Sequence, residues 1–304
     1  RDGVAPEGFL TLLSEIDVSG ASGNLEVLET ISTAFDYYTM GLQSEIDNNV
    51  YEALRLTSEG LLSHRPNGLK INFETLERIR PEVFILLYRL LFILYAEARE
   101  IFPIHHPTYF EKYSLEWCRE NVTIPFEKSG APGISKIGTP DGTELWHRCR
   151  NTFHLIMTGS HLQGDKPGEF DFRAYYGTIF DDELHEDLER WEIPNKYLAA
   201  IIKQLTRFEE KGGGVYFVDY SSLEIRQIGS IYEKSLEYHL GIGKGDEVRC
   251  TVDENDRKST GSYFTHASLI ERLVSDTLGP IIDRIREETG DENPAEFEKR
   301  ICSL

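Results

Sequence analysis

The chain has 304 residues, 40% of them apolar, enough to bury one large core or two ordinary ones. Fifty-two acidic residues against 32 basic ones leave a formal charge of −20. That balance argues against a strong grip on a phosphate backbone by this chain alone, because such a grip needs clustered Lys and Arg. An acidic surface in which arginine outnumbers lysine also suits a protein kept soluble in high salt, so a halophilic source is one expectation and an ordinary acidic protein the other.

No apolar run is long enough to span a bilayer, and the most apolar stretch, Val83 to Ala96, carries Arg89 in its middle. No membrane partner is expected. Cys118, Cys149, Cys250 and Cys302 have no paired spacing, so reduced thiols and a cytoplasmic location are the default. The first residue is Arg1 rather than methionine, and a processed or excised piece is expected.

In chain order, Asn24 is placed to cap a helix whose apolar stripe runs Leu25, Leu28, Ile31, Phe35, Tyr38 and Leu42. A second helix carries Ile46, Val50, Ala53 and Leu54 towards Leu61, before the loop signal Ser63 to Gly68. Pro81 to Pro103 is predicted to be the central helix of a bundle, with Pro81 in its first turn and apolar residues on nearly every face. Arg89 within it is expected to pair with an acid on a neighbouring helix. A short helix follows over Pro107 to Asn121, then a long loop over Glu127 to Gly142.

Helix resumes over Thr143 to Met157 with Gly159 as its C-cap, and again over Ile193 to Phe208. The triple glycine at Gly212 to Gly214 leads into a short strand, Val215 to Tyr220, expected in a small hairpin. Ser221 and Glu224 form a capping box ahead of Ile228, Ile231, Tyr232 and Leu236. Gly241 to Thr260 reads as a polar loop, and Thr265 caps a last amphipathic helix from His266. The fold class is mainly α, a helical bundle with a minor β-hairpin. The predicted domains are an N-terminal helical segment (1–80), a connector bundle (81–256) and the start of a truncated domain (257–304).

No spacing makes a complete active site. His147, His154 and His161 are seven apart and lack the close ligand pairs of zinc sites. The acidic run Phe180 to Asp187 lacks the glycine and the alternating oxygens of a calcium loop, and reads as a solvated helix start. Pro140-Asp141 and Glu209-Glu210-Lys211 match a nuclease core in letters only. No glycine-rich phosphate loop links a strand to a helix.

Six stretches, in order, resemble the middle of large single-chain restriction–modification enzymes of the type IIG kind, related to phage-defence N6-adenine methyltransferases. They are VYEALRLTSEGLL from Val50, LLYRLLFILYAEAREIFP from Leu86, ELWHRCRNTFHLIMTG from Glu144, AYYGTIFD from Ala174, VDYSSLEIRQIGSIYEKSLE from Val218 and RKSTGSYFTHASLIERLV from Arg257. In that family a helical region joins an N-terminal nuclease module to a methyltransferase module.

The last stretch is similar to the family's G-S-Y-Y-T-P segment, which opens the methyltransferase domain and helps hold S-adenosylmethionine. By resemblance Gly261, Tyr263 and Thr265 would be on the cofactor side, with His266 in place of the usual proline. The glycine-rich cofactor motif and N-P-P-Y are absent; Asn293-Pro294-Ala295 does not supply the latter. The implied picture is a connector fragment, inactive alone and holding no cofactor tightly. Its parent methylates and cuts DNA, using S-adenosylmethionine. Local DNA contacts would come from the densest basic stretch, Arg55, His64, Arg65 and Lys70. The alternative is a free-standing helical scaffold of a phage-defence system, which predicts an exposed apolar patch. A hydrolase using the acidic run and the histidines is a third reading, and bound metal would favour it.

Overall fold

The computed structural model describes residues 48–123, 133–160, 170–175, 177–209, 215–223, 229, 231, 237–245, 247–252, 267–289 and 300. The chain forms two compact units, Arg1–Ser259 and Thr260–Leu304. The fold is mainly α with small antiparallel hairpins, as the sequence pattern implies.

In the first unit, α1 (48–63) buries Val50, Ala53, Leu54 and Leu61. Thr57 and Ser58 share this inner face without leaving orphaned hydroxyls, because they donate back to the carbonyls of Ala53 (2.7 Å) and Leu54 (2.9 Å). Gly60 lets the helix approach its neighbour closely: a Cβ there would stand 2.8 Å from Ile193 Cγ2.

Helix α2 (Phe73–Ala98) is the centre of the bundle, and no residue from Glu82 to Glu97 is exposed. It begins eight residues before Pro81, because the Asn72 side chain accepts from the Thr75 amide at 2.8 Å and caps it there. The expectation that Pro81 opens the helix is thereby corrected. Pro81 sits inside the helix on an exposed position, where it leaves only the Glu77 carbonyl without its amide. The predicted boundary between residues 80 and 81 is corrected with it, since it would cut this helix, and one compact unit spans both sides.

Two short helices follow, α3 (Pro107–Lys112) and α4 (Leu115–Cys118), with a π-turn over Arg119–Thr123. Ser114 separates them by accepting from the Trp117 amide at 3.0 Å, so one predicted helix becomes two. Helix α5 (Glu144–Thr158) buries Leu145, Trp146, Cys149, Phe153 and Ile156, and ends at Gly159. Gly159 has φ 71° and ψ 178°, a conformation essentially reserved for glycine, and a Cβ there would meet the Phe172 carbonyl oxygen at 2.7 Å. Gly159→Ala is expected to cost about 1–3 kcal/mol from the backbone alone. Thermal unfolding checks this; an unchanged midpoint would show that the turn relaxes freely.

Around that turn Phe102, Tyr109, Phe170, Phe172 and Tyr175 form an aromatic cluster, with Phe102 and Phe172 ring centres 5.1 Å apart. Helices α6 (Glu186–Arg190) and α7 (Asn195–Thr206) complete the bundle. Strand β1 (Arg207–Glu209) pairs with β2 (Val215–Phe217), Phe208 opposite Tyr216. This is the hairpin expected from the Gly-rich turn.

A second hairpin, β3 (Tyr238–Ile242) with β4 (Val248–Val252), occupies much of the predicted polar loop Gly241 to Thr260. Its composition is polar, yet Tyr238 and Leu240 face inward, and the ring of Tyr238 meets Tyr51 edge-on at 3.8 Å. The turn is made at Gly245, φ 80°, with the Gly243 amide donating to Glu247 O at 2.7 Å.

The second unit contains α8 (Ala267–Thr277) and α9 (Gly279–Thr289), joined at Leu278. Leu269, Ile270, Leu273, Val274, Leu278 and Ile281 are exposed, while Ile285 is buried. The expected helix capped by Asn24, with its stripe from Leu25 to Leu42, lies outside the described residues, as does most of the segment from Glu224 to Leu236.

Candidate functional site

The residues expected to meet DNA do not form one cationic patch. Arg55 spends its guanidinium inside α1, donating from Nε to Glu52 Oε2 (2.8 Å) and from Nη1 to Glu59 Oε1 (2.5 Å). The hydrogen bonds to Glu52, with the fields of both carboxylates, raise its pKa far above the usual arginine range. Its charge is therefore already balanced. His64, 13% exposed in its side chain, turns Nε2 towards Glu192 Oε2 at 3.5 Å. Arg65 and Lys70 are exposed in the loop that follows α1. Gly261, Tyr263 and Thr265 lie outside the described residues; α8, starting at Ala267, is within them.

A polar corner joins that loop to the rest of the bundle. Asn67 donates from Nδ2 to the carbonyls of Leu61 (2.9 Å) and Glu192 (2.8 Å), and its Oδ1 accepts the Glu192 amide at 2.9 Å. The Glu192 carboxylate then accepts from Thr143 Oγ1 at 3.0 Å and stands 3.4 Å from His147 Nε2. Three residues further along the chain, fully buried Asn195 accepts the Leu145 amide and donates to Thr139 O and to Glu144 Oε2. Two asparagines thus fasten three loops by side-chain mimicry of backbone pairing.

Beside this corner, between the end of α3 and the first turns of α5, lies an open cleft of about 450 Å³. Glu111, Lys112 and Tyr113 form one wall, and Glu144, His147, Arg148 and Asn151 the other. Arg148 supports the first wall from below. Its Nη1 donates to Glu111 O (2.5 Å), its Nη2 to Phe110 O (3.2 Å), and its guanidinium lies 4.4 Å from the centre of the Trp117 ring.

Three acids of the segment from Phe180 to Asp187 have protein partners. Asp187 accepts from Arg78 at 2.5 and 2.8 Å, Glu186 from Arg190 at 2.7 Å, and Asp181 Oδ1 from the Glu183 amide at 2.9 Å. Among the described residues no group of three or more His, Cys, Asp or Glu is arranged to hold a metal ion. Burial pushes the Cys118 thiol up to about 12 and the Cys250 thiol up to about 11, and raises Cys149 as well. None of these three thiols has the lowered pKa of a nucleophile.

Two buried charges were harder to see in advance. Arg89 is fully buried. It donates from Nε to Ile179 O at 2.5 Å and from Nη1 to Glu189 Oε1 at 3.4 Å, over the rings of Phe153 and Phe180. Its acidic partner on a neighbouring helix, which sequence could anticipate but not name, is Glu189. Glu97 closes the last turn of α2 and was not anticipated. It accepts from Tyr109 Oη (2.9 Å) and from the amides of Leu115 and Glu116 (both 3.0 Å). An acid in an otherwise apolar helical stripe was its one signal.

Among the described residues no helix is long and apolar enough to cross a membrane. No family model, curated protein or solved structure matches the chain.

Proposed function

We propose that the first unit is the helical connector of a restriction–modification enzyme that methylates adenine in DNA from S-adenosylmethionine and also cuts DNA. On this reading the connector spaces a nuclease module from a methyltransferase module, and the second unit opens the latter. The observation that carries the reading is where the chain divides. The two compact units part between Ser259 and Thr260, inside the Arg257–Val274 stretch that resembles the start of the methyltransferase domain. A helix, α8, then begins at Ala267, just after the Gly-Ser-Tyr-Phe-Thr segment. The locally balanced charges of the bundle suit architecture more than chemistry. With a charge of −20, the basic stretch from Arg55 to Lys70 offers a phosphate only Arg65 and Lys70, and the parent's grip on DNA is assigned to its flanking modules.

A second reading has one observation in its favour. The exposed apolar residues Leu269, Leu273, Val274, Leu278 and Ile281 of α8 and α9 suit a scaffold that docks other subunits of a defence system.

Calorimetric titration of S-adenosylmethionine into the 304-residue protein, and into a version extended by a methyltransferase domain's length of the gene, separates the two. Binding by the extended protein only, with N6-methyladenine appearing in DNA incubated with it, is the expected result. A folded extended protein that binds no S-adenosylmethionine would overturn the connector reading and leave the scaffold.

A further inference from the structure

The wall of the cleft formed by Glu111, Lys112 and Tyr113 belongs to a chain segment fastened to α2 at one carboxylate. Glu97, 5% exposed, takes hydrogen bonds from Tyr109 in α3 and from the first two amides of α4, so it caps α4 from another helix. All three donors are neutral. Around it stand Tyr109 from α3, Glu116 and Cys118 from α4, and Arg148 and Cys149 from α5. Arg148 turns its guanidinium to the carbonyls of Phe110, Glu111 and Ser114, and Glu116 pairs with Arg119. Among the described residues, therefore, no cation is hydrogen-bonded to the Glu97 carboxylate.

We propose that Glu97 is a proton-sensitive latch. When it carries a proton the Pro107–Cys118 segment stays seated on α2, and when it is ionised the segment lifts more readily, taking one wall of the cleft with it. The geometry gives the reason. A buried carboxylate held by neutral donors is costly as an anion, and lifting the segment returns it to water. A proton on the carboxyl has one acceptor to meet, Tyr109 Oη, because the other two contacts are amide N–H groups.

Burial holds the closed-state carboxyl at about 7, against 4.5 for an ordinary glutamate, despite the three hydrogen bonds that oppose the shift. The sign follows from linkage. Between those two values the closed state binds more protons than the open one, so opening becomes easier as pH rises and levels off above 7. From pH 5 to pH 8 the opening equilibrium should increase roughly 70-fold. Glu116 also titrates upward through burial, so it must be separated from Glu97.

Hydrogen exchange of the Leu115 and Glu116 amides, corrected for intrinsic rates, reads the opening directly. Carbon-13 labelling of glutamate Cδ reads the Glu97 midpoint in the unaltered protein. The expected results are a Glu97 midpoint near 7, and an exchange increase at Leu115 and Glu116 exceeding that of Ile201 and Ile202 in α7. Glu97→Gln should flatten the exchange profile, while Glu116→Gln leaves the Glu97 midpoint in place. A Glu97 midpoint below 5 overturns the latch, a test that needs no variant to fold. So does an increase shared equally by α7, or a pH profile unchanged in Glu97→Gln.

Discussion

Arg89→Ala is expected to lower stability by about 3–5 kcal/mol, because it empties part of the core and strands a buried carbonyl at the same step. The guanidinium of Arg89 is fully buried, so the substitution strands the Ile179 carbonyl that it satisfies and opens space against Phe153 and Phe180. Glu189 would not be stranded, since Arg150 also donates to it at 2.9 Å from Nε and 2.7 Å from Nη2. That asymmetry makes Arg89→Met informative. Methionine fills most of the volume and leaves Glu189 paired with Arg150, so its cost should be smaller, about 1–3 kcal/mol, chiefly for the unpaired Ile179 carbonyl.

Burial also lowers the Arg89 pKa from its ordinary value, with Glu189 opposing the shift. Urea midpoints at unchanged slope would measure both variants. If Arg89→Met equals the parent or exceeds it, the buried charge contributes nothing to stability, and its role is to select how Ile179–Phe180 sits on α2.

The other large effect is expected at Asn195, where substitution by aspartate should be worse than substitution by alanine. Asparagine donates from Nδ2 to Thr139 O and Glu144 Oε2, both at 2.7 Å, and accepts the Leu145 amide at 2.9 Å. Asn195→Ala deletes these links from a side chain with no exposed surface and should cost about 2–3 kcal/mol. Asn195→Asp keeps the shape but sets an anion against a carbonyl and a second carboxylate. Glu144 is itself held ionised, its pKa lowered by its own backbone amide and by Asn195. A loss of about 3 kcal/mol or more at pH 7 is expected for the aspartate variant.

The pH dependence distinguishes the two variants. Burial beside Glu144 should raise the new aspartate's folded pKa above its unfolded value of about 3.9. Its folded state then binds the extra proton, so the penalty is smallest at low pH and grows as pH rises through the folded pKa. Protonated aspartate can donate where the amide did. Chemical denaturation at pH 4.5 and pH 7.5 would check this: recovery of Asn195→Asp relative to Asn195→Ala at the lower pH is the expected outcome, and parallel curves would refute the polarity argument.

Both sites show how far residue patterns reach. Helical periodicity is a local property, so Val50–Leu61, Leu86–Ala96, Leu145–Ile156 and Leu198–Leu205 declare their helices and inward faces without knowledge of their neighbours. Boundaries are less local. Pro81 looks like a helix start because proline tolerates a first turn, but the Asn72 cap lies upstream, and burial of Leu76 and Ile79 carries the helix through the proline. The hairpin β3–β4 was missed for a related reason. Its alternation of Val248, Cys250 and Val252 with Arg249 and Thr251 is brief, and its register depends on a surface offered by Tyr51 and the α1–α2 face.

By itself the sequence determined the mainly helical class, the Gly-rich hairpin, the Gly159 stop and the acidic charge. Those follow from propensity, periodicity and composition, which act within a few residues. Only tertiary structure decided that Glu189 answers Arg89 across 100 positions, that Asn195 closes on Thr139 and Glu144, and that Glu97 meets two amides 18 and 19 residues away. Polar partners inside a bundle are chosen by which faces the apolar core brings together, and the core is indifferent to the distance between them along the chain. The basic stretch Arg55–Lys70 illustrates the same limit: its letters suggest a cationic patch, while folding gives Arg55 to two glutamates and turns His64 towards a third.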